Sequence, residues 1–255
     1  LPDRFQPTAQ ALELLHDVKE MERASQSIDR RSAGLSGSHL GTVRISVDET
    51  MADFLGRHLA RLRANNQCIE FEIAVAHTFA NLSRREADLL IRDRVPDLAS
   101  LVGRKLGAFG YAVYATAALA AGCDGSPAAL QDLPWVGFDD EHQYMPGQAW
   151  QAALLGNRRP EVRTNNGVVL ANAVRGGNGV GVLPCFIGDP DPALARLTPV
   201  LEETRAEQWL LVHADLRGVP RVRIVMDALA QLFRECRTEI EGEAAASTRV
   251  TEAAD

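Results

Sequence analysis

The side chains in this sequence that could do chemistry cluster at the expected starts of helices. Thr50, Thr78 and the pair Asn165 and Asn166 each sit where a strand gives way to a helix, and unpaired backbone N–H groups and the helix dipole favour negative charge there. Their hydroxyl and amide groups can donate to one ligand, which makes them candidate contacts for an anionic or carboxylated small molecule. The same residue types also serve as ordinary N-caps that touch no ligand. Arg92, at the end of the expected third strand, adds a fixed positive charge, whereas Arg94 reads as a surface residue paired with neighbouring acids. Asp48 and Glu49 point the other way: two carboxylates beside the first loop repel an anion unless they cap or turn outward, which keeps a cationic or amphoteric ligand open. Phe138, Leu183, Pro184 and Phe186 are the expected apolar wall of such a site, and each is equally a core-type residue.

Other chemistries find no pattern. There is no G-x-S-x-G elbow, no cysteine beside a plausible base and no carboxylate pair spaced for hydrolysis, so no catalytic residues and no cofactor are expected. The glycine-rich stretch 176–181 precedes a strand instead of linking a strand to a helix, and it reads as turn chemistry. Cys68, Cys123, Cys185 and Cys236 are far apart, and the six histidines form no H-x-x-x-H pair. Reduced, mostly buried thiols and no metal site are therefore expected. A net charge of −7 argues against this chain, taken alone, wrapping a nucleic-acid backbone. Without an apolar run of membrane length or a signal-like N-terminus, a cytoplasmic location is expected. The start at Leu1 reads as that of a fragment or processed product.

Several elements must position these residues. Ala11, Leu14, Val18, Met21, Ser25 and Ile28 recur at alternating spacings of three and four, the seam of a dimerisation helix over 8–33 whose key residues are Leu14, Val18, Met21 and Ile28. Glycines and serines over 34–41 predict a flexible joint. From Thr42 the pattern becomes strand, helix, strand, helix, strand, which implies parallel strands and ligands beyond their carboxyl ends. A second α/β block follows, then a strand over 209–213, an amphipathic helix over about 222–240 and a disordered acidic tail over 243–255.

The order of these elements, from the capped connector helix onward, and the phrases within them resemble one family. They are Gly41-Thr42-Val43-Arg44-Ile45-Ser46, Arg85-Glu86-Ala87-Asp88-Leu89-Leu90-Ile91-Arg92, Tyr111-Ala112-Val113-Tyr114-Ala115-Thr116, Ala173-Val174-Arg175-Gly176-Gly177-Asn178, and Gly179-Val180-Gly181-Val182-Leu183-Pro184. The match, from about Arg4 to the final helix, resembles the linker helix and effector-binding region of a LysR-type transcriptional regulator. The resemblance implies a type 2 periplasmic-binding-protein fold, with 42–115 plus 210–242 as subdomain I and 116–209 as subdomain II. An effector cleft would lie between them. It also implies that residues 1–7 are a remnant of the wing and that promoter DNA is contacted only through a helix-turn-helix head absent from this sequence. Thr50 and Thr78 match positions where such relatives hold effectors. The implied partners are a small-molecule effector and the chain itself, as homodimer or homotetramer, with no membrane. A solute-binding protein of a transporter, or an enzyme on the same fold, are the alternatives.

Overall fold

The computed structural model describes residues 40–76, 87–96, 100–142 and 144–243, together with Thr8, Val18 and Met21. Strand β1 (Gly41–Val47) leads through helix α1 (Glu49–Ala64) to β2 (Ile69–Val75), which pairs with it in parallel from Gly41 opposite Ile69 to Val47 opposite Val75. Alternation does its work here: Val43, Ile45 and Val47 are fully buried while Thr42 and Arg44 face outward. Asp48 caps α1 by accepting from Met51 N at 2.7 Å, Arg61 and Arg63 close its last turn, and Met51, Phe54, Leu55 and Leu62 form the buried stripe.

Strand β3 (Leu89–Arg92) adds in parallel on the other side of β1. Strands β4 (Leu101–Phe109) and β10 (Ala206–His213) complete a five-stranded sheet in the order β2-β1-β3-β10-β4, with β10 antiparallel to both its neighbours. The second sheet has β5 (Tyr111–Thr116) between β8 (Gly181–Pro184) and β9 (Leu194–Arg196), both antiparallel to it. Beside it, β6 (Val136–Phe138) pairs in parallel with β7 (Val162–Thr164). Five helices accompany these strands: α2 (Ala117–Ala120), α3 (Pro127–Gln131), α4 (Gln148–Leu155), α5 (Gly167–Arg175) and α6 (Cys185–Gly188).

Strand pairing corrects the expected boundary. Residues 111–115 go with subdomain II, because the strands that pair with β5 are β8 and β9 of the second sheet, and the first crossing falls at Gly110. That glycine donates to Ile240 O at 2.8 Å and accepts from Cys185 N at 2.9 Å. A Cβ there would lie 2.4 Å from the carbonyl oxygen of Glu241, so no other residue fits. The return crossing runs from Leu201, which donates to Tyr111 O, into Ala206 at the start of β10, ahead of the expected boundary between residues 209 and 210.

The single closing helix expected over 222–240 is two, α7 (Pro220–Glu235) and α8 (Arg237–Glu241), which turn at Cys236. The turn brings Ile240 into the core beside Gly107. Of the four cysteines, Cys185 and Cys236 are buried, Cys123 is half-buried and Cys68 is exposed. Thr78, Leu14, Ile28, most of the expected helix and joint, and the tail after Glu243 lie outside the described residues.

Candidate ligand cleft

The subdomains meet along α1. Phe54 packs at 5.5 Å from Phe186, with Phe109 and Phe233 completing the aromatic cluster at 5.7 and 5.1 Å from Phe54. Phe186 is fully buried in this cluster, Leu183 opposes Ala112 within the sheet, and Pro184 is buried beside it. These three residues are core, and the apolar wall expected of them is not formed by their surfaces. Phe138 is also buried. Its carbonyl accepts from Gln148 Nε2 at 3.0 Å, and it borders a hollow built wholly from subdomain II.

Arg92 is turned inward. Its guanidinium donates to Ser46 O at 2.7 Å, Ile91 O at 2.8 Å and Ser46 Oγ at 2.8 Å, and the residue is only 4% exposed. It staples the end of β3 to the end of β1 instead of reaching for a ligand. Burial lowers its pKa against the opposing pull of Asp48 and Asp93. Burial also raises the Asp48 carboxyl above the ordinary carboxylate value. The Met51 N–H pulls the other way, Glu49 adds to the rise, and Arg92 offsets it. Tyr111 lies within the field of the same carboxylates, and burial above all holds its hydroxyl well above the ordinary tyrosine value.

Thr50 lies beside Gly167, the residue after Asn166, and the neighbours of this pair set its chemistry. Asn166 is the N-cap of α5: Oδ1 accepts from Val168 N at 3.0 Å and from Val169 N at 3.1 Å. The next amide, Gly167 N, donates to Glu49 Oε1 at 3.0 Å across the cleft. Thr50 Oγ1 lies where a Cβ on residue 167 would approach to 3.2 Å, so the two helix starts pack closely at this glycine. All three amides at the start of α5 are thus held by the chain's own oxygens, and the position expected for an effector anion is filled by Glu49. Asn165 is exposed beside them. The arrangement could not be read from spacing, since residues 49 and 167 belong to different subdomains; the acidic first turn of α1 was its one local signal.

A hollow of about 450 Å³ opens between the subdomains on the side of Asp93, within the size range of small-molecule sites. Subdomain I supplies Asp93, subdomain II supplies Tyr144, Met145, Pro146 and Trp150, and the return crossing supplies the segment from Glu203 to Glu207. Arg205, the one cation of this lining, is engaged by Glu202 through Nε at 2.6 Å and Nη2 at 3.0 Å. Carboxylates therefore dominate the rim, and Met145, Pro146 and Trp150 provide apolar surface.

Two α/β subdomains, two crossings and a ligand-sized hollow between them define a sensor of the type 2 periplasmic-binding-protein kind. The LysR substrate binding domain model matches residues 36–234. The Mau operon transcriptional activator of Paracoccus denitrificans is 26% identical over 238 residues, covering 90% of this chain and 78% of that protein. Among solved structures, CrgA, a LysR-type transcriptional regulator from Neisseria meningitidis, superposes with a TM-score of 0.64 at 18% identity over 89% of this chain and 80% of that one. A full-length OxyR variant from Pseudomonas aeruginosa gives 0.65 at 16% identity over 84% and 74%. The effector binding domain of AmpR from Citrobacter freundii gives 0.60 at 15% identity over 76% and 99%. The chain belongs to the LysR substrate-binding-domain family and is the effector-binding region of a LysR-type regulator of transcription. No helix among the described residues is long and apolar enough to cross a membrane.

Proposed function

We propose that this region senses a small cationic or amphoteric molecule in the hollow between its subdomains and passes its occupancy to DNA-binding heads through paired linker helices. One observation carries the preference for a positive group. The carboxylate of Glu49 already caps α5 across the cleft, while Asp93 and Glu203 stand at the hollow. An anionic effector in the hollow would sit beside Asp93 and Glu203, whereas an ammonium or guanidinium group gains from the same charges. Met145 and Trp150 accept an apolar part of the ligand, and Trp150 can face a cation with its ring.

The chain binds this molecule without transforming it. Binding bridges Asp93, the Tyr144–Trp150 segment and the return crossing, so it biases the angle between subdomains by no more than its differential affinity for the two arrangements. Val18 and Met21 are helical and are 56% and 73% exposed, which supports a second copy of the chain as the cover of this seam. The assembly would be a cytoplasmic homodimer or homotetramer that contacts promoter DNA through heads preceding the linker.

A thermal-shift panel of small metabolites grouped by charge tests this reading. Amines or amino acids raise the melting temperature, and Asp93→Asn weakens the effect. Stabilisation by dicarboxylates alone, unchanged in Asp93→Asn, would overturn it.

A further inference from the structure

Beside the aromatic cluster of α1, the fold gathers three metal-ligating side chains that sequence spacing keeps apart. His58 is on α1, Cys236 is at the turn between α7 and α8, and Glu239 is in α8. His58 and Cys236 are 178 positions apart in the chain, which is why no ligand motif was visible. We propose that these residues form a binding site for one divalent transition-metal ion of the zinc class.

The geometry is the first argument. Tetrahedral zinc with ordinary bond lengths places an imidazole nitrogen and a carboxylate oxygen about 3.4 Å apart, and a thiolate sulfur and an imidazole nitrogen about 3.6 Å apart. Here His58 Nε2 lies 3.5 Å from Glu239 Oε1, and Cys236 Sγ lies 3.9 Å from His58 Nε2. All three ligand atoms fall within 4.8 Å of one another, and Cys236 Sγ is almost equidistant from Nε2 and Nδ1, the latter at 4.0 Å, so closure around an ion needs the imidazole to turn Nε2 toward the sulfur as well as shifts of up to about 1 Å. Cys236 and Glu239 are three apart on one helical turn, a spacing that places both on the same face. The Phe54 ring packs 4.7 Å from the imidazole.

The chemistry agrees with the geometry. Thiolate, imidazole and carboxylate together suit a borderline ion such as zinc and disfavour calcium or magnesium, and three protein ligands leave a fourth position for water. The imidazole is mostly shielded and the carboxylate is partly open to solvent, which gives the ion an entry path. Arg61 is the one cation beside the thiol: its Nη1 lies 3.4 Å from Cys236 Sγ, while its Nη2 is held by Glu235 at 2.5 Å. The thiolate and the Glu239 carboxylate balance the charge of the ion. Binding converts the thiol to a metal thiolate and releases its proton to solvent.

Cobalt(II) alone is the probe, added to the full chain carrying Cys68→Ser and Cys123→Ser so that the two more accessible thiols are absent. The proposal expects saturation at one cobalt per chain, with a thiolate-to-cobalt charge-transfer band and the visible bands of tetrahedral cobalt, both displaced by zinc. Cys236→Ser abolishes the charge-transfer band. His58→Gln and Glu239→Gln each weaken binding by roughly tenfold or more, and Glu239→Gln alters a partly exposed side chain. Zinc raises the melting temperature of the parent by roughly 5 °C or more at saturation. Absence of the band at saturating cobalt, a band that survives Cys236→Ser, or affinity unchanged in both His58→Gln and Glu239→Gln would overturn the proposal.

Discussion

Glu49→Gln isolates the contact that ties the two subdomains at their helix starts. The substitution keeps an oxygen that can accept from Gly167 N, at 3.0 Å in the parent, and removes the charge. A hydrogen bond to an ionised group contributes about 1.5–3 kcal/mol and a neutral one about 0.5–1.5, so the loss of charge alone costs about 1–1.5 kcal/mol. The α5 dipole adds about 0.3–1 kcal/mol to that loss. Against it, the amide avoids the cost of burying an ionised group beside Asp48, since Glu49 is only 5% exposed. The net expectation is a contact weaker by about 1 kcal/mol, or about fivefold in the equilibrium that opens it. Amide hydrogen exchange resolved at Gly167 reads this directly, because protection there requires the two subdomains to stay together. Val168 and Val169 are internal controls, since Asn166 holds their amides from within subdomain II. Exchange at Gly167 about fivefold faster with the two valines unchanged is the expected pattern. Equal exchange in variant and parent, or acceleration shared by all three amides, would refute the assignment of Glu49 as a latch.

Other outcomes follow from neighbouring contacts. Asn166→Ala removes the acceptor for two amides and should cost about 1 kcal/mol in urea unfolding, while Asn166→Asp retains the cap. Phe186→Ala should cost about 3–5 kcal/mol of stability, as truncation of a fully buried aromatic does, and would show in the unfolding midpoint before any ligand is added. Burial raises the Asp48 carboxyl, so the folded chain keeps a proton that the unfolded chain has already released. The stability this contributes is present at low pH and is lost as pH rises from the ordinary carboxylate value through the raised one. Asp48→Asn keeps a good N-cap without the titration. Parent stability should therefore fall relative to the variant across that window, and a flat difference would show that Asp48 does not carry the effect.

Much of the architecture was written in local pattern. The alternation of Val43, Ile45 and Val47, the stripe of Met51, Phe54 and Leu55, and the capped start of α5 each follow from short-range periodicity that tertiary contacts reinforce. The boundary expected after residue 115 falls at Gly110 because the strand pattern over 111–115 carries nothing local to say that it joins a different sheet from the strand before it. Strand β9 went unseen because three half-buried residues carry too little alternation.

The site was less accessible to such reasoning. Residue type suggested that Arg92, Leu183, Pro184 and Phe186 could serve a ligand, but Arg92 binds the β1 carbonyl beside it and the others fill the core. The features that define the cleft are long-range pairings, Glu49 with Gly167 and Asp93 with the Tyr144–Trp150 segment, and no local spacing encodes them. The same holds for His58 and Cys236.

Trp150 offers the most direct test of where an effector binds. Titration of the most stabilising amine or amino acid from the thermal-shift panel, followed by tryptophan fluorescence, should give a saturable change at the affinity indicated by the thermal shift. That change should vanish in Trp150→Phe, while the thermal shift persists in weakened form. Asp93→Asn should lower the affinity in both assays. A signal that is retained in Trp150→Phe and unaltered by Asp93→Asn would place the ligand outside this hollow and contradict the account.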